Sequence, residues 1–360
     1  MTASLQLAST DRVLVFAPHP DDETLAAGEL IQSARSAGAA VRVVLATDGD
    51  NNPWPQRWLE RRWRIDAAGR RRWGERRRGE AMAALALLGV DARDVRFLGW
   101  PDQGLTDKLM RDDEAVAELA VELAGFAPTH VAMPALADRH PDHSALRVML
   151  ELAALHAAPA AIRLGYTVHG RRPATDGLAA IRSTPAQRAR KLAAVRAHAS
   201  QIALGRKRLL ELAARPECFD IAAGAVGADA GAGTADARAR LYVRHSRRWS
   251  SWQRHELLVV VATRSGTERF RFPLPRFGMR ASAVAPAVPR GPRPVPARDA
   301  GALAVELPVP AESVVAMFAK LDRIGSRLVI FDRDTWQDVH RARAVSAVPA
   351  VDPRPVARVA

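Results

Sequence analysis

Between residues 13 and 213 short apolar runs alternate with longer helical stretches, and few folds accommodate that order. The runs 13–16, 41–46, 95–98, 129–133 and 162–168 have strand length and are rich in apolar and β-branched residues. Helical stretches fall between them at 25–37, 80–88, 114–126 and 144–158, the first two closed by Gly38 and Gly89. A longer helical stretch, 185–213, follows. Strands that alternate with helices predict an α/β fold: a mostly parallel, doubly wound sheet with helices on both faces. In such a sheet the chemistry collects where strands end.

Beyond this alternation the composition changes. Residues 221–239 are rich in Gly and Ala and read as a linker. Strand-like runs at 257–263, 269–274, 305–309 and 328–331 predict a small C-terminal β-rich domain over 240–345, with Gly266 in a turn and a Pro-rich, extended segment at 286–296. The tail 346–360 reads as loose, which leaves residues 1–220 as the main domain. A single cysteine, Cys218, excludes an internal disulfide and a Cys-rich zinc cluster. No basic start followed by an apolar stretch and no run of membrane-spanning length is present, so the expectation is a cytoplasmic protein without a transmembrane segment.

Two clusters carry the chemistry. Residues 17–24 read Ala-Pro-His-Pro-Asp-Asp-Glu-Thr directly after the first run, and residues 140–143 read His-Pro-Asp-His after the fourth. A catalytic zinc takes three protein ligands and keeps one position open for water. In a tight turn entering a helix, His19 and Asp22 can face one side, and His143 can supply the third ligand. Asp21 is then left free to take a proton as general base. His140, as an imidazolium, can stabilise a developing oxyanion, with Asp142 holding its tautomer and raising its pKa. The alternative is that Asp-Asp-Glu caps a helix and compensates its dipole, and that the histidines are ordinary loop residues. Asp48, at the end of the second run, either touches substrate or forms a turn. His169 sits in a later strand-end loop with Arg171 and Arg172.

The motifs at 18–23 and 140–143 resemble the two signatures of the PIG-L/LmbE-like deacetylase family. That family includes the de-N-acetylase of glycosylphosphatidylinositol synthesis and the bacterial deacetylase of mycothiol synthesis. The resemblance covers roughly residues 10–205. Arg77-Arg78-Gly79-Glu80 is similar to the family's Arg-x-x-Glu helix start, Trp100-Pro101-Asp102 to its Asp-bearing loop, and Lys191 with His198, Ser200 and Gln201 to its late helix. The resemblance implies a Rossmann-like fold and zinc-dependent hydrolysis of an N-acetyl group from an amino sugar, a GlcNAc-type glycan or glycolipid precursor. By matching positions it implies His19, Asp22 and His143 as metal ligands, Asp21 as base and His140 as oxyanion-stabilising acid, with Arg77 on the substrate and Asp102 beside it. A His₂Asp donor set also accepts Fe2+ or Co2+ in place of Zn2+. An amidase acting on a larger sugar-linked amide would use the same machinery.

The chain departs from the family over 51–78, which carries Trp54, Trp58, Trp63 and Trp73 among ten arginines. Trp faces stack on sugar rings and Arg forks grip phosphate, so this segment reads as a lid for an anionic or lipid-linked glycan, with Trp54 and Trp58 on the substrate. The alternative is a surface helix whose tryptophans pack on the core. The formal net charge of +14 favours anionic partners, a membrane surface among them, or reflects an Arg-rich composition. A basic, aromatic segment is also the footprint of single-strand nucleic-acid binding. No reader motif accompanies it, so the expected partner is a glycan or small molecule rather than nucleic acid.

Overall fold

The structure, a computed structural model, describes residues 3–170, 178–222, 238–244, 254–274, 293–295, 302–324, 331–332 and 334–340. It divides into two units, Met1–Leu109 with Glu114–Val226, and Met110–Asp113 with Gly227–Ala360. The first part of the chain forms β1 (Ala3–Ser4), β2 (Arg12–Ala17), α1 (Asp22–Ser36), β3 (Ala40–Thr47), α2 (Pro53–Glu60), α3 (Ala67–Leu87), β4 (Val95–Trp100) and α4 (Leu105–Arg111). It continues with α5 (Glu114–Phe126), β5 (His130–Pro134), α6 (Pro141–Ala157), β6 (Ile162–Tyr166), β7 (Leu178–Ala180), α7 (Pro185–Ala197), α8 (Ala199–Ala213) and β8 (Cys218–Ala222).

One sheet takes all eight strands in the order β1-β7-β8-β6-β5-β2-β3-β4. From β6 to β4 every neighbouring pair is parallel. β8 runs antiparallel to both β6 and β7. The chain steps from β2 to β3 and β4 on one side, then returns to the other side of β2 with β5 and β6. The order therefore reverses between β2 and β5, and such a switch point opens a crevice at the carboxyl ends of the strands. Both sequence clusters follow these two strands. β2 buries Val13, Leu14, Val15, Phe16 and Ala17 in succession, the pattern of a strand covered on both faces. Tyr166 ties the sheet across its width by donating its hydroxyl to the Phe16 carbonyl at 2.6 Å.

The core also encloses charge. The Glu217 carboxylate accepts from the backbone N–H groups of Glu29 and Leu30, at 2.8 and 2.9 Å, within α1. The Lys191 ammonium of α7 lies 2.7 Å from the same carboxylate, and both side chains are buried. A Cβ on Gly28 would meet Lys191 Cγ at 3.2 Å, so glycine there lets α7 lie close to α1.

The second unit contains β9 (Arg238–Arg244), β10 (Arg254–Thr263), β11 (Gly266–Pro273), β12 (Arg293–Val295), β13 (Ala302–Pro310), β14 (Val314–Ile324) and β15 (Gln337–Asp338). They form two antiparallel sheets, β11-β10-β14-β15 and β12-β13-β9. Alternate residues Leu257, Val259 and Val261 of β10 share one apolar cluster with Val305, Leu307 and Val309 of β13. Two sheets that pool alternate side chains in this way make a small sandwich.

Several expectations change. The stretch 185–213 is two helices, broken at His198, where φ −76° and ψ 58° leave the helical region. The helix expected at 80–88 begins at Ala67, because the Arg-rich turns before it carry no apolar period to announce them. The expected linker overlaps two strands: Ile221 and Ala222 complete β8, while Arg238 and Ala239 open β9. β14 was not anticipated, and of the strand expected at 328–331 only Phe331 is described, outside any strand. Arg171, Arg172, the tail 346–360 and most of the segments 221–239 and 286–296 lie outside the described residues.

Removing one partner of a buried ion pair leaves an uncompensated charge and costs about 3–5 kcal/mol. Glu217→Ala also strips an acceptor from two buried N–H groups. Its unfolding free energy should fall by that order in a denaturant titration, with Glu217→Gln losing less. A loss below about 0.5 kcal/mol would show that the pair does not hold α7 to α1.

Candidate metal centre at the strand switch point

Pro141 at the first helical position starts α6, which puts His140 at its N-cap and His143 in its first turn. On the other side of the crevice Asp21 is the N-cap of α1, with Asp22 and Glu23 in its first turn. The capping alternative is met in part. Asp21 makes no side-chain cap bond; Glu23 does the work by accepting from the Asp21 N–H at 3.0 Å.

The three expected ligands meet. Asp22 Oδ2 lies 3.2 Å from His19 Nδ1 and 3.1 Å from His143 Nε2. Donors held at about 2.0–2.1 Å on a tetrahedral zinc stand about 3.3 Å apart, so both separations fit one ion's edge. All three side chains are buried, and neither ring nitrogen of His143 makes a hydrogen bond of acceptable geometry. Two imidazoles, a carboxylate and orphaned buried nitrogens are a donor set suited to a divalent metal. The ring nitrogens of His19, His140 and His143 also come within 4.8 Å of one another, as do donor atoms of Asp22, His143 and His169 and of His19, Asp102 and Asp142.

The charges are strongly coupled. Burial opposes charge on His143, yet Asp138 and Asp22 outweigh it and push its pKa up to about 10. Burial likewise opposes charge on His19, and the carboxylates of Asp102, Asp142 and Asp22 hold its pKa well above the usual imidazole range. Asp22 is held well below the ordinary carboxylate range: burial would raise it, but His143 and His19 prevail. Asp21 goes the other way. Burial raises its pKa to about 7, against the pull of Arg77 3.4 Å away. Its backbone φ of 124° lies in a region that non-glycine residues rarely enter.

Five of the expected site residues have partners within the protein. The Asp142 carboxylate faces His19 Nε2 at 3.2 Å and accepts from the N–H groups of Gln103 and Leu105. The Asp142 backbone N–H meets His140 Nδ1 at 3.2 Å. Burial first, and then the neighbouring imidazoles of His19, His143 and His169, hold His140 well below its usual pKa, which disfavours the imidazolium. Arg77 turns inward onto the backbone. It is buried, and its guanidinium donates to the carbonyls of Gly49 and Pro20. A Cβ on Gly49 would fall 2.0 Å from Arg77 Nη1, so this clamp requires glycine there. Asp102 turns to His19 Nε2 at 3.2 Å, and Asp48 pairs with Arg78 at 2.6 Å. Trp54 and Trp58 are exposed on α2, and of the four tryptophans in the segment Trp73 alone packs into the core.

Sequence reasoning missed Asp138 and underrated His169. Asp138 is fully buried; it lies 3.2 Å from His143 Nδ1 and accepts from the N–H groups of His140, Val168 and His169. Its only sequence signal was a position two residues before the second motif. The His169 ring centroid stands 4.8 Å from that of His143, and burial together with the His143 charge pushes its pKa down to about 3. The late-helix residues serve as ties. His198 Nε2 faces Thr24 Oγ1 at 3.1 Å and Glu23 at 3.5 Å, and Ser200 donates its hydroxyl to Glu80 at 2.6 Å.

A family model described as PIG-L: GlcNAc-PI de-N-acetylase matches residues 14–154, a span that contains both motifs. Three curated relatives carry the name 1D-myo-inositol 2-acetamido-2-deoxy-alpha-D-glucopyranoside deacetylase. The one from Mycobacterium avium is 37% identical over 154 residues, 38% of this chain and 49% of its own length. That from Mycolicibacterium gilvum is 32% identical over 193 residues, 49% of this chain and 66% of its own. That from Saccharomonospora viridis is 31% identical over 252 residues, 57% of this chain and 87% of its own. The chain thus spans about half of the first of these relatives.

His143→Ala should abolish stoichiometric divalent-metal binding by the purified protein, measured by elemental analysis after reconstitution. Full retention of metal would remove His143 from the ligand set.

Proposed function

The chain belongs to the PIG-L family, described as GlcNAc-PI de-N-acetylase, and from that premise we propose that it is a metal-dependent hydrolase that removes the acetyl group from an N-acetylated amino sugar. The observation that carries this reading is the meeting of His19, Asp22 and His143 at the switch point with the carboxyl of Asp21 at their edge. His19, Asp22 and His143 would hold the ion, with zinc as the first choice and Fe2+ or Co2+ as alternatives. A bound divalent cation supplies Lewis acidity, polarising an amide carbonyl and making water acidic near neutral pH.

The chain's own groups supply the proton traffic. Asp21 accepts a proton from the attacking water as its oxygen adds to the acetyl carbonyl carbon. The C–N bond then breaks, and the proton moves from Asp21 to the departing amine, leaving acetate and a free amino sugar. A pKa of about 7 suits both accepting and returning that proton. Arg77, by gripping the Pro20 and Gly49 carbonyls, fixes the loop that aims Asp21. His140 has its Nδ1 occupied by the Asp142 N–H, so its neutral ring carries the proton on Nε2 and donates it as a hydrogen bond to the developing oxyanion.

Acetate release from N-acetylglucosaminyl compounds, free, inositol-linked and lipid-linked, tests the reading. Exhaustive chelation should abolish release and zinc should restore it; full activity without metal would overturn the mechanism. Asp21→Asn should keep the metal and lower kcat by about 10²–10⁴, the usual contribution of a positioned base. Unchanged turnover would assign the proton transfer to another group.

A further inference from the structure

Helix α2 is turned inside out. Gln56, a polar residue, is fully buried and donates from Nε2 to the Gly69 carbonyl at 2.7 Å. The large apolar residues face solvent instead: Trp54 is 55% exposed, Trp58 66%, Leu59 37% and, in the turn beyond, Trp63 75%. Single exposed hydrophobes need no explanation, but three indoles and a leucine within ten residues do. They are held in place. The Arg57 guanidinium lies 5.1 Å from the Trp54 ring and 5.2 Å from that of Trp63. Arg61 closes the helix in a left-handed conformation, φ 50° and ψ 37°, which turns the chain toward α3.

Charge surrounds these rings. From 53 to 72 the sequence holds seven arginines against two acids, so the patch is strongly cationic. Both acids have local duties: Glu60 pairs with Arg72 at 3.3 Å, and Asp66 caps α3 by accepting from the Gly69 N–H. Arg61, Arg62, Arg64, Arg70 and Arg71 are exposed. α2 also lies against α8, whose sequence adds Arg206, Lys207 and Arg208, all exposed.

We propose that α2 and the turn after it dock this protein on an anionic lipid surface. Indoles partition to the level of the headgroups, and arginines beside them meet anionic headgroups. Charge and exposure together favour this occupant: Trp63 is three-quarters open and stands among exposed arginines. An apolar helix face that sinks to about 5–10 Å at a membrane interface must stand clear of its own protein. The platform adjoins the metal centre: Asn51, just ahead of α2, donates its N–H to the Asp102 carboxylate that faces His19. Docking therefore brings the mouth of that centre to the lipid surface. Docking depends on α2 and the basic segments beside it, not on the hydrolytic reading.

The test is flotation of the full chain with vesicles of phosphatidylcholine alone and vesicles carrying about one-third phosphatidylglycerol, at about 0.1 M and 1 M salt, where the screening length falls from about 10 Å to about 3 Å. Binding should require the anionic lipid, weaken at high salt, and shift tryptophan emission to the blue. Trp58→Ala with Trp63→Ala should weaken partitioning by about tenfold or more at unchanged Tm. Arg61→Gln, Arg62→Gln and Arg64→Gln together should weaken it on the order of a hundredfold, since each basic residue near such a surface contributes roughly fivefold. Equal affinity for both vesicle types, wild-type partitioning in either variant set, or no emission shift would overturn the proposal. Binding to single-stranded DNA with none to vesicles would overturn it in favour of nucleic acid.

Discussion

The site depends on one carboxylate. Asp138 takes three backbone N–H groups, those of His140, Val168 and His169, and faces the Nδ1 edge of His143. It thereby locks the loop after β5 to the loop after β6 and sets the orientation of the imidazole that reaches Asp22. Burial would raise the pKa of so enclosed an acid, but His143, the His169 ring and the His140 N–H hold it below the ordinary carboxylate value. Metal-binding histidines elsewhere are fixed by just such a second partner, which selects the tautomer and makes the ring a better ligand.

The arginines divide into two populations that the sequence presents as one run. Arg77 is turned inward as a clamp on the backbone of two loops, and Arg78 is tied to Asp48. Arg61, Arg62, Arg64, Arg70 and Arg71 face solvent. Within α3 helix geometry makes the division, because about one residue in 3.6 turns inward and the rest stay outside. The same helix buries Trp73, Gly74 and Arg77 at that spacing. Among the described residues of this segment the charge therefore belongs chiefly to the surface, whereas the candidate chemistry rests on a few enclosed acids and imidazoles.

What was legible in the sequence follows from range. The strand β2 announces itself because burial on both faces demands an unbroken apolar run, whereas β6, interrupted by Arg163, shows itself by alternation. The clusters at His19 and His140 were legible because chemistry crowds residue types that no core would choose. Asp138 was not legible: a lone acid in a loop looks like any turn residue until β6 is placed beside it. The break at His198 was hidden for a similar reason, since its partners Thr24 and Glu23 lie far away in the sequence. Charged and polar residues reveal their direction only through partners, and partners are long-range.

Asp21 carries a consequence for how such a chain drifts. Its φ of 124° with ψ −28° suits glycine and costs another residue about 1–3 kcal/mol. Glycine at this position would relax the turn and lengthen the life of the fold, and it would also delete a carboxyl whose pKa burial raises to about 7. Selection for endurance and selection for reactivity thus pull this residue in opposite directions. A population of such chains kept only for stability would lose the aspartate early, while one kept for turnover would carry the strained turn indefinitely.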